Sequence, residues 1–208
     1  MTMTTSMSGI EIVPAAEADI ALAAGLVAAA FHDLDVARWQ IPDEQARRAI
    51  YPGYFEEYVR HALEHGSVEM TADLTAVAVW IVETGEQTPA PQPPAGRMAA
   101  ALGAEAAARI HAFELALHAH EPVGLRFEKL ALLAVRPDCQ GQGLGTELLV
   151  HHLVDLDRRL IPAYLEAASE PLSKFYGRFG FDGRPPIGLD DGLEMFPSWR
   201  EPQGIDAH

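Results

Sequence analysis

Residues 133–149 read LAVRPDCQGQGLGTELL, an apolar strand that runs into a glycine-rich turn and straight on into a helix. No other stretch of the chain constrains its fold as strongly. Glycines at 141, 143 and 145 let the backbone present several N–H groups to one ligand with no Cβ in the way, and the helix that follows adds the positive end of its dipole. The combination is an anion cradle of a size suited to a pyrophosphate. A plain strand-to-helix turn, with glycines for tight packing, is the bland alternative.

The spacing narrows the choice of phosphate ligand. A nucleoside-triphosphate loop needs G-x-x-x-x-G-K-[ST], but Gly145 is followed by Thr146 and Glu147, so the phosphate-binding lysine is missing. A dinucleotide fingerprint needs G-x-G-x-x-G early in a βαβ unit, whereas these glycines alternate and lie late in the chain. The stretch resembles the coenzyme A loop of the GNAT superfamily of N-acetyltransferases, whose Q/R-x-x-G-x-G/A pattern is met by Gln140, Gly143 and Gly145.

The resemblance extends over roughly residues 10–198. YLEAAS at 164–169 and KFYGRFGF at 174–181 look like the family's next strand, its short helix and the F/L-Y-x-x-x-G-F segment, with Tyr176 at the family's acid position. Upstream, AAAFHD at 28–33, Trp39, Pro42-Asp43 and AVAVWI at 76–81 resemble the puromycin N-acetyltransferase branch in order and spacing. One position departs: the asparagine that often precedes the acid tyrosine by four residues is replaced by Leu172, with Ser173 the nearest substitute.

The resemblance implies an α/β (α+β) fold with a mixed, mostly antiparallel central sheet of six to seven strands flanked by helices. A V-shaped opening is implied between the strand before the loop and the strand ending near Ala168. It implies transfer of an acetyl group from acetyl-CoA to a primary amine of a small molecule by direct attack. The backbone of Leu133, Ala134 and Val135 would polarise the thioester carbonyl. Gln140, Gly141, Gln142, Gly143, Leu144, Gly145 and Thr146 would hold the pyrophosphate, with Ser173 on the pantetheine arm. Tyr176 would protonate the departing thiolate. A sensor that binds acyl-CoA without turnover is the second reading.

An ammonium must lose its proton before attack, and the residues offer Glu83, Glu128 and Glu166, of which Glu128 and Glu83 are the candidates taken forward. The loop after the first helix carries His32, Asp33 and Trp39, an aromatic beside a carboxylate, as candidates for the acceptor site.

Composition narrows the partners. Fifteen Lys and Arg against thirty acids give a formal charge of −15, which argues against nucleic acid, since phosphate binding needs a basic face. The lone Cys139 cannot form an internal disulfide and fits a reducing, cytoplasmic setting. The longest apolar run, 20–31, falls short of the about 20 residues that cross a bilayer. Nine histidines bring no H-E-x-x-H or cysteine pair, so no metal is expected. One domain over 10–200 is expected between tails at 1–9 and 201–208, as a monomer or homodimer.

Patterning predicts a strand at 10–14, a helix at 17–31 and a loop at 32–42. A second helical region starts near Asp43 and is kinked or split at Pro52-Gly53, with Gly66 ending it. Strands follow at 68–71 and 75–82, then a proline-rich mobile loop at 84–96 and a helix at 97–120. A strand at 125–135, a helix at 146–160, a strand at 163–167, a helix capped by Ser169 that ends at Gly180, and two strands around Asp190-Asp191-Gly192 complete the pattern.

Overall fold

The computed structural model describes residues 9–85 and 103–204. The expected N-terminal tail up to residue 8, most of the proline-rich loop, the first turns of the helix at 97–120, and residues 205–208 lie outside the described residues. The strands are β1 (Ile12–Pro14), β2 (Gly66–Thr71), β3 (Ala76–Glu83), β4 (Phe127–Val135), β5 (Ala163–Ala167), β6 (Asp182–Gly183), β7 (Ile187–Gly188) and β8 (Glu194–Arg200). The helices described are α1 (Ile20–Phe31), α2 (Asp35–Gln40), α3 (Glu44–His65), α4 (Ala104–His120), α5 (Leu144–Arg159) and α6 (Glu170–Gly177).

The sheet runs β1-β2-β3-β4-β5-β8-β6, with β7 also on β8, so among the described residues it has eight strands where six or seven were expected. Its pairings are antiparallel except between β4 and β5. Those two central strands pair only at Glu128 with Ala163 and Lys129 with Tyr164, and beyond that point no ladder joins them.

β3 is apolar from Ala76 to Val82 because both of its faces are covered. Val77, Val79 and Ile81 pack under α1 and α3, while Ala76, Ala78 and Trp80 pack under α5. β2 follows α3 with no intervening loop, and Gly66 makes that junction possible. A Cβ there would sit 2.0 Å from the carbonyl oxygen of Trp80, so the requirement is for close approach.

Three local expectations are corrected. α3 continues as one helix past Pro52, so the region is not split there. Tyr51, Tyr54 and Phe55 are buried around that point and pack on one another, and this packing outweighs the hydrogen bond that proline removes. Within 32–42, expected to be loop, residues 35–40 form α2, which buries Val36, Ala37 and Gln40. α5 begins at Leu144, two residues earlier than expected, so Gly145 belongs to its first turn.

On the face of the sheet opposite α1 and α3, α5 is fastened by charge as well as by leucines. His152 stacks on Trp80 at 4.1 Å and bonds Glu69 on β2 at 2.9 Å and Glu128 on β4 at 2.8 Å, while Arg159 adds 2.6 Å to the other Glu128 oxygen. Burial alone would lower the imidazole pKa, but hydrogen bonds to Glu128 and Glu69 outweigh it and push the pKa up to about 8. A pKa raised above its unfolded value stabilises the fold fully below about pH 6.5, and that contribution fades as pH rises through the folded value. Stability in urea is therefore expected to fall by about 2 kcal/mol between about pH 6 and about pH 9, and His152→Gln to flatten that slope. A wild-type slope matching that of the variant would show that the imidazole carries no charge in the fold.

Candidate active site

Where β4 and β5 separate lies a cavity of about 700 Å³. Residues 130–135 of β4 form one wall and residues 165–168 the other. The glycine loop closes one side, and side chains from α1, α2, α3, α4 and α6 complete the lining.

The loop is shaped by two kinds of glycine. Gly141 and Gly143 have φ of 77° and 85°, a left-handed conformation that side-chain-bearing residues adopt only at a cost, though a Cβ on either would meet open space. Gly145 instead permits close packing, since its Cβ would lie 3.3 Å from Val135 Cγ2 and 3.8 Å from Leu133 Cδ2. The first backbone bond of α5 runs from Glu147 N–H to Gly143 C=O at 3.0 Å. The amides of Leu144, Gly145 and Thr146 thus have no acceptor within their own helix, and all three residues line the cavity. Cys139, Gln140, Gly141 and Gly143 line it too. The arrangement is a nest of N–H groups at a positive helix end, able to hold a diphosphate.

β4 carries a second backbone device. Val79 of β3 faces Leu132 and Trp80 faces Leu130, so Ala131 is an extra residue, a bulge. The bulge reverses which side chains face α5: Glu128 and Leu130 before it, Leu133 and Val135 after it. Leu132 and Ala134 turn to the opposite core. Ala131 itself lines the cavity, at the point where a strand must offer backbone groups to a ligand instead of to a neighbour.

Tyr176 stands on α6 and lines the cavity with Leu172 and Phe175. Its residue surface is 9% exposed, and burial pushes the phenol pKa well up, so the hydroxyl keeps its proton throughout the physiological range. Ser169 caps α6 through Leu172 N–H at 3.4 Å, as the sequence suggested.

The remaining candidates divide. Leu133, Ala134, Val135, Gln140, Gly141, Gly143, Leu144, Gly145, Thr146, Tyr176 and Glu83 all reach the cavity, whereas Gln142 and Ser173 do not line it. Glu128 faces the other side of the sheet because it precedes the bulge. There its carboxylate is held by His152 and Arg159, and although burial opposes ionisation, those partners keep its pKa below the usual carboxylate range. A carboxylate so placed does not reach the cleft.

The acceptor candidates of the first loop also lie off the lining. The His32 backbone oxygen accepts from buried Arg47 Nε at 2.8 Å, which ties the loop to α3. Asp33 is exposed and pairs with Arg38 at 3.2 Å. Trp39 packs among Val36, Phe113, Leu117, Ile187 and Met195. It is their neighbours Phe31, Leu34, Val36, Ala37 and Gln40 that face the cavity.

Glu114, Tyr54, Tyr58 and Lys129 were not anticipated. Glu114 on α4 accepts from the hydroxyls of Tyr54 and Tyr58 on α3, the latter at 2.6 Å. Lys129 lies between Glu121 and Glu166. All six residues line the cavity. A signal for Glu114 was present in the sequence, since it falls on the stripe of Ile110 and Leu117, four residues before and three after it, where a charge is out of place.

Comparison with known proteins agrees with this geometry. Residues 98–182 match the model of an acetyltransferase (GNAT) domain. A solved Corynebacterium glutamicum structure, titled histone acetyltransferase HPA2 and related acetyltransferase, aligns at TM-score 0.69 and 22% identity over 94% of this chain and 98% of its own. Arylalkylamine N-acetyltransferase 2 of Aedes aegypti aligns at 0.66 and 12% identity, covering 93% and 99%. The Escherichia coli ribosomal-protein-S18-alanine N-acetyltransferase gives 0.53 and 17%, covering 95% and 97%. The chain has the GNAT fold, and the domain match supports the GNAT superfamily. Among the described residues no helix is long and apolar enough to cross a membrane, and no group of three or more metal-ligating side chains is found.

Gly143→Ala is expected to cost about 1–2 kcal/mol of loop strain. In calorimetric titration it should weaken coenzyme A binding about fivefold or more. An affinity equal to that of the wild type would show that the left-handed turn is not part of a binding site.

Proposed function

Starting from the GNAT fold, we propose that the protein is an acetyl-CoA-dependent N-acetyltransferase acting on a primary amine of a small molecule by direct attack in a ternary complex. The observation that carries the reading is the convergence, on one cavity, of the amide nest at residues 140–146, the bulged edge of β4 and the protonated Tyr176. The nest would grip the coenzyme pyrophosphate, and Gly145 lets α5 approach β4 closely enough that a ligand anchored on the helix lies along the strand. Backbone N–H groups around the Ala131 bulge would receive the oxyanion as the thioester carbon becomes tetrahedral. Tyr176 would then give its proton to the leaving thiolate.

Leu172 leaves the pantetheine arm without the family's amide side chain, and Ser173 is not on the lining, so the arm would be held by the β4 edge and by apolar contact. The upstream segments at 28–43 and 76–81 support kinship with the puromycin N-acetyltransferase branch, and the lone cysteine supports a cytoplasmic setting.

Purified protein given acetyl-CoA and a panel of amines is expected to release free thiol, and Tyr176→Phe to lower kcat about 100-fold while the affinity for coenzyme A is kept. Coenzyme binding without thiol release from any amine would point to an acyl-CoA sensor instead, and an unchanged kcat would remove Tyr176 from the reaction.

A further inference from the structure

The acceptor end of the cavity has more buried acid than it has cation to balance. Among the described residues Glu114, Glu121 and Glu166 share the ammonium of Lys129, which lies 2.5 Å from Glu121 Oε1 and 3.0 Å from Glu166 Oε2 and also acts on Glu114, while the other Glu121 oxygen lies 3.0 Å from His118 Nδ1. Glu114 is satisfied by two phenols, one on each oxygen. Glu166 is not: its side chain is 4% exposed, and its Oε1 is buried with no hydrogen-bond partner. The Tyr164 hydroxyl stands near enough to influence that carboxylate but off hydrogen-bond geometry. Burial pushes the pKa of both Glu114 and Glu166 up. Unpaired negative charge and an unbonded oxygen at a cavity wall are costly, and an ammonium supplied from within the cavity would relieve both. Beside these acids the wall is apolar, formed by Phe31, Leu34, Phe55, Phe113 and Leu117.

Resting on the N-acetyltransferase reading, we propose that the acceptor is a small primary amine on an aromatic or otherwise apolar body bearing no negative charge. Its ammonium bonds Glu166 Oε1 beside Glu114, and its body packs among Phe31, Leu34, Phe55, Phe113 and Leu117. Glu166 then takes the first ammonium proton and passes it to water. The freed nitrogen lone pair attacks the thioester carbon, the C–S bond breaks, and the thiolate takes the Tyr176 proton. The second nitrogen proton, lost as the amide forms, restores the phenol. The sum is one ammonium and one acetyl thioester converted to amide, thiol and one released proton. Glu114 supplies countercharge without exchanging a proton.

The test compares thiol release from 2-phenylethylamine, phenylalanine, spermidine and a short peptide with a free N-terminus, using the whole protein. A kcat/KM about 100-fold or more above phenylalanine, whose carboxylate would meet those of Glu114, Glu121 and Glu166, supports the assignment, with spermidine and the peptide also well below. Equal use of phenylalanine, spermidine or the peptide overturns it. Glu166→Gln is expected to lower kcat and remove the acid limb of the pH profile. The groups facing that carboxylate are Lys129 on β4, Glu121 after α4, Tyr164 on β5, Glu114 on α4 and Tyr58 on α3. Glu114→Gln is expected to raise KM with kcat largely kept. An unaltered pH profile in Glu166→Gln that still binds acetyl-CoA with wild-type affinity removes Glu166 as base. Thiol release from hydrophilic amines alone would leave the acetyltransferase reading standing and overturn this one, whereas no release from any amine overturns both.

Discussion

Parallel pairing between β4 and β5 stops after Lys129 and Tyr164, and nearly every functional feature of the molecule depends on that stop. A continuous ladder would have filled the centre of the sheet with backbone hydrogen bonds and left no room between the strands. Because the strands part, the second half of β4 keeps an open edge, and the chain immediately after it turns through three glycines into α5. Strand edge and helix N-terminus therefore open onto the same space. An edge with unpaired donors is a liability on a protein surface, but enclosed in a cavity it becomes a place to bind a carbonyl.

The Ala131 bulge decides what each face of β4 is for. Before it, Glu128 turns toward α5 and joins His152, Glu69 and Arg159 in a buried charge network that fastens helix to sheet. Lys129, the next residue, turns the other way and meets Glu121 and Glu166 at the cavity wall. Two neighbouring ionisable residues thus serve different ends. In the first network each Glu128 oxygen is bonded, while Glu69 Oε2 is buried without a hydrogen-bond partner. In the other, Glu166 Oε1 is buried without a hydrogen-bond partner at the cavity wall. The bonds to both Glu128 oxygens hold helix to sheet, and the unpartnered Glu166 oxygen at a cavity wall is a candidate contact for a ligand.

Much of this was legible in the chain. The glycine loop, Tyr176, the Ser169 cap and the strand at 163–167 are local features set by a few adjacent residues, and the structure keeps them where the sequence puts them. What escaped was non-local. Strand alternation assigns Glu128 to a face only if the bulge three residues later is known, and nothing in FEKLALLAV announces a bulge. Pro52 reads as a break because its cost is local, while the packing of Tyr51, Tyr54 and Phe55 that overrides it is tertiary. The polar residues of the loop after α1 suggested an acceptor site, yet Arg47, fifteen residues away, ties that loop to α3. Of the acids that reach the cavity, Glu83 and Glu166 were among the sequence candidates, whereas Glu114 lies on the apolar stripe of a helix, where periodicity rather than motif would have found it.

The most direct measurement is an amide-resolved NMR titration of the protein with coenzyme A. The expected result is saturable movement of the backbone amides of residues 140–146 and of those flanking Ala131, while resonances around Glu69 and His151, on the far side of α5, stay in place. Saturable binding that moves the far side and leaves the glycine loop untouched would contradict the assignment of that loop as the diphosphate cradle.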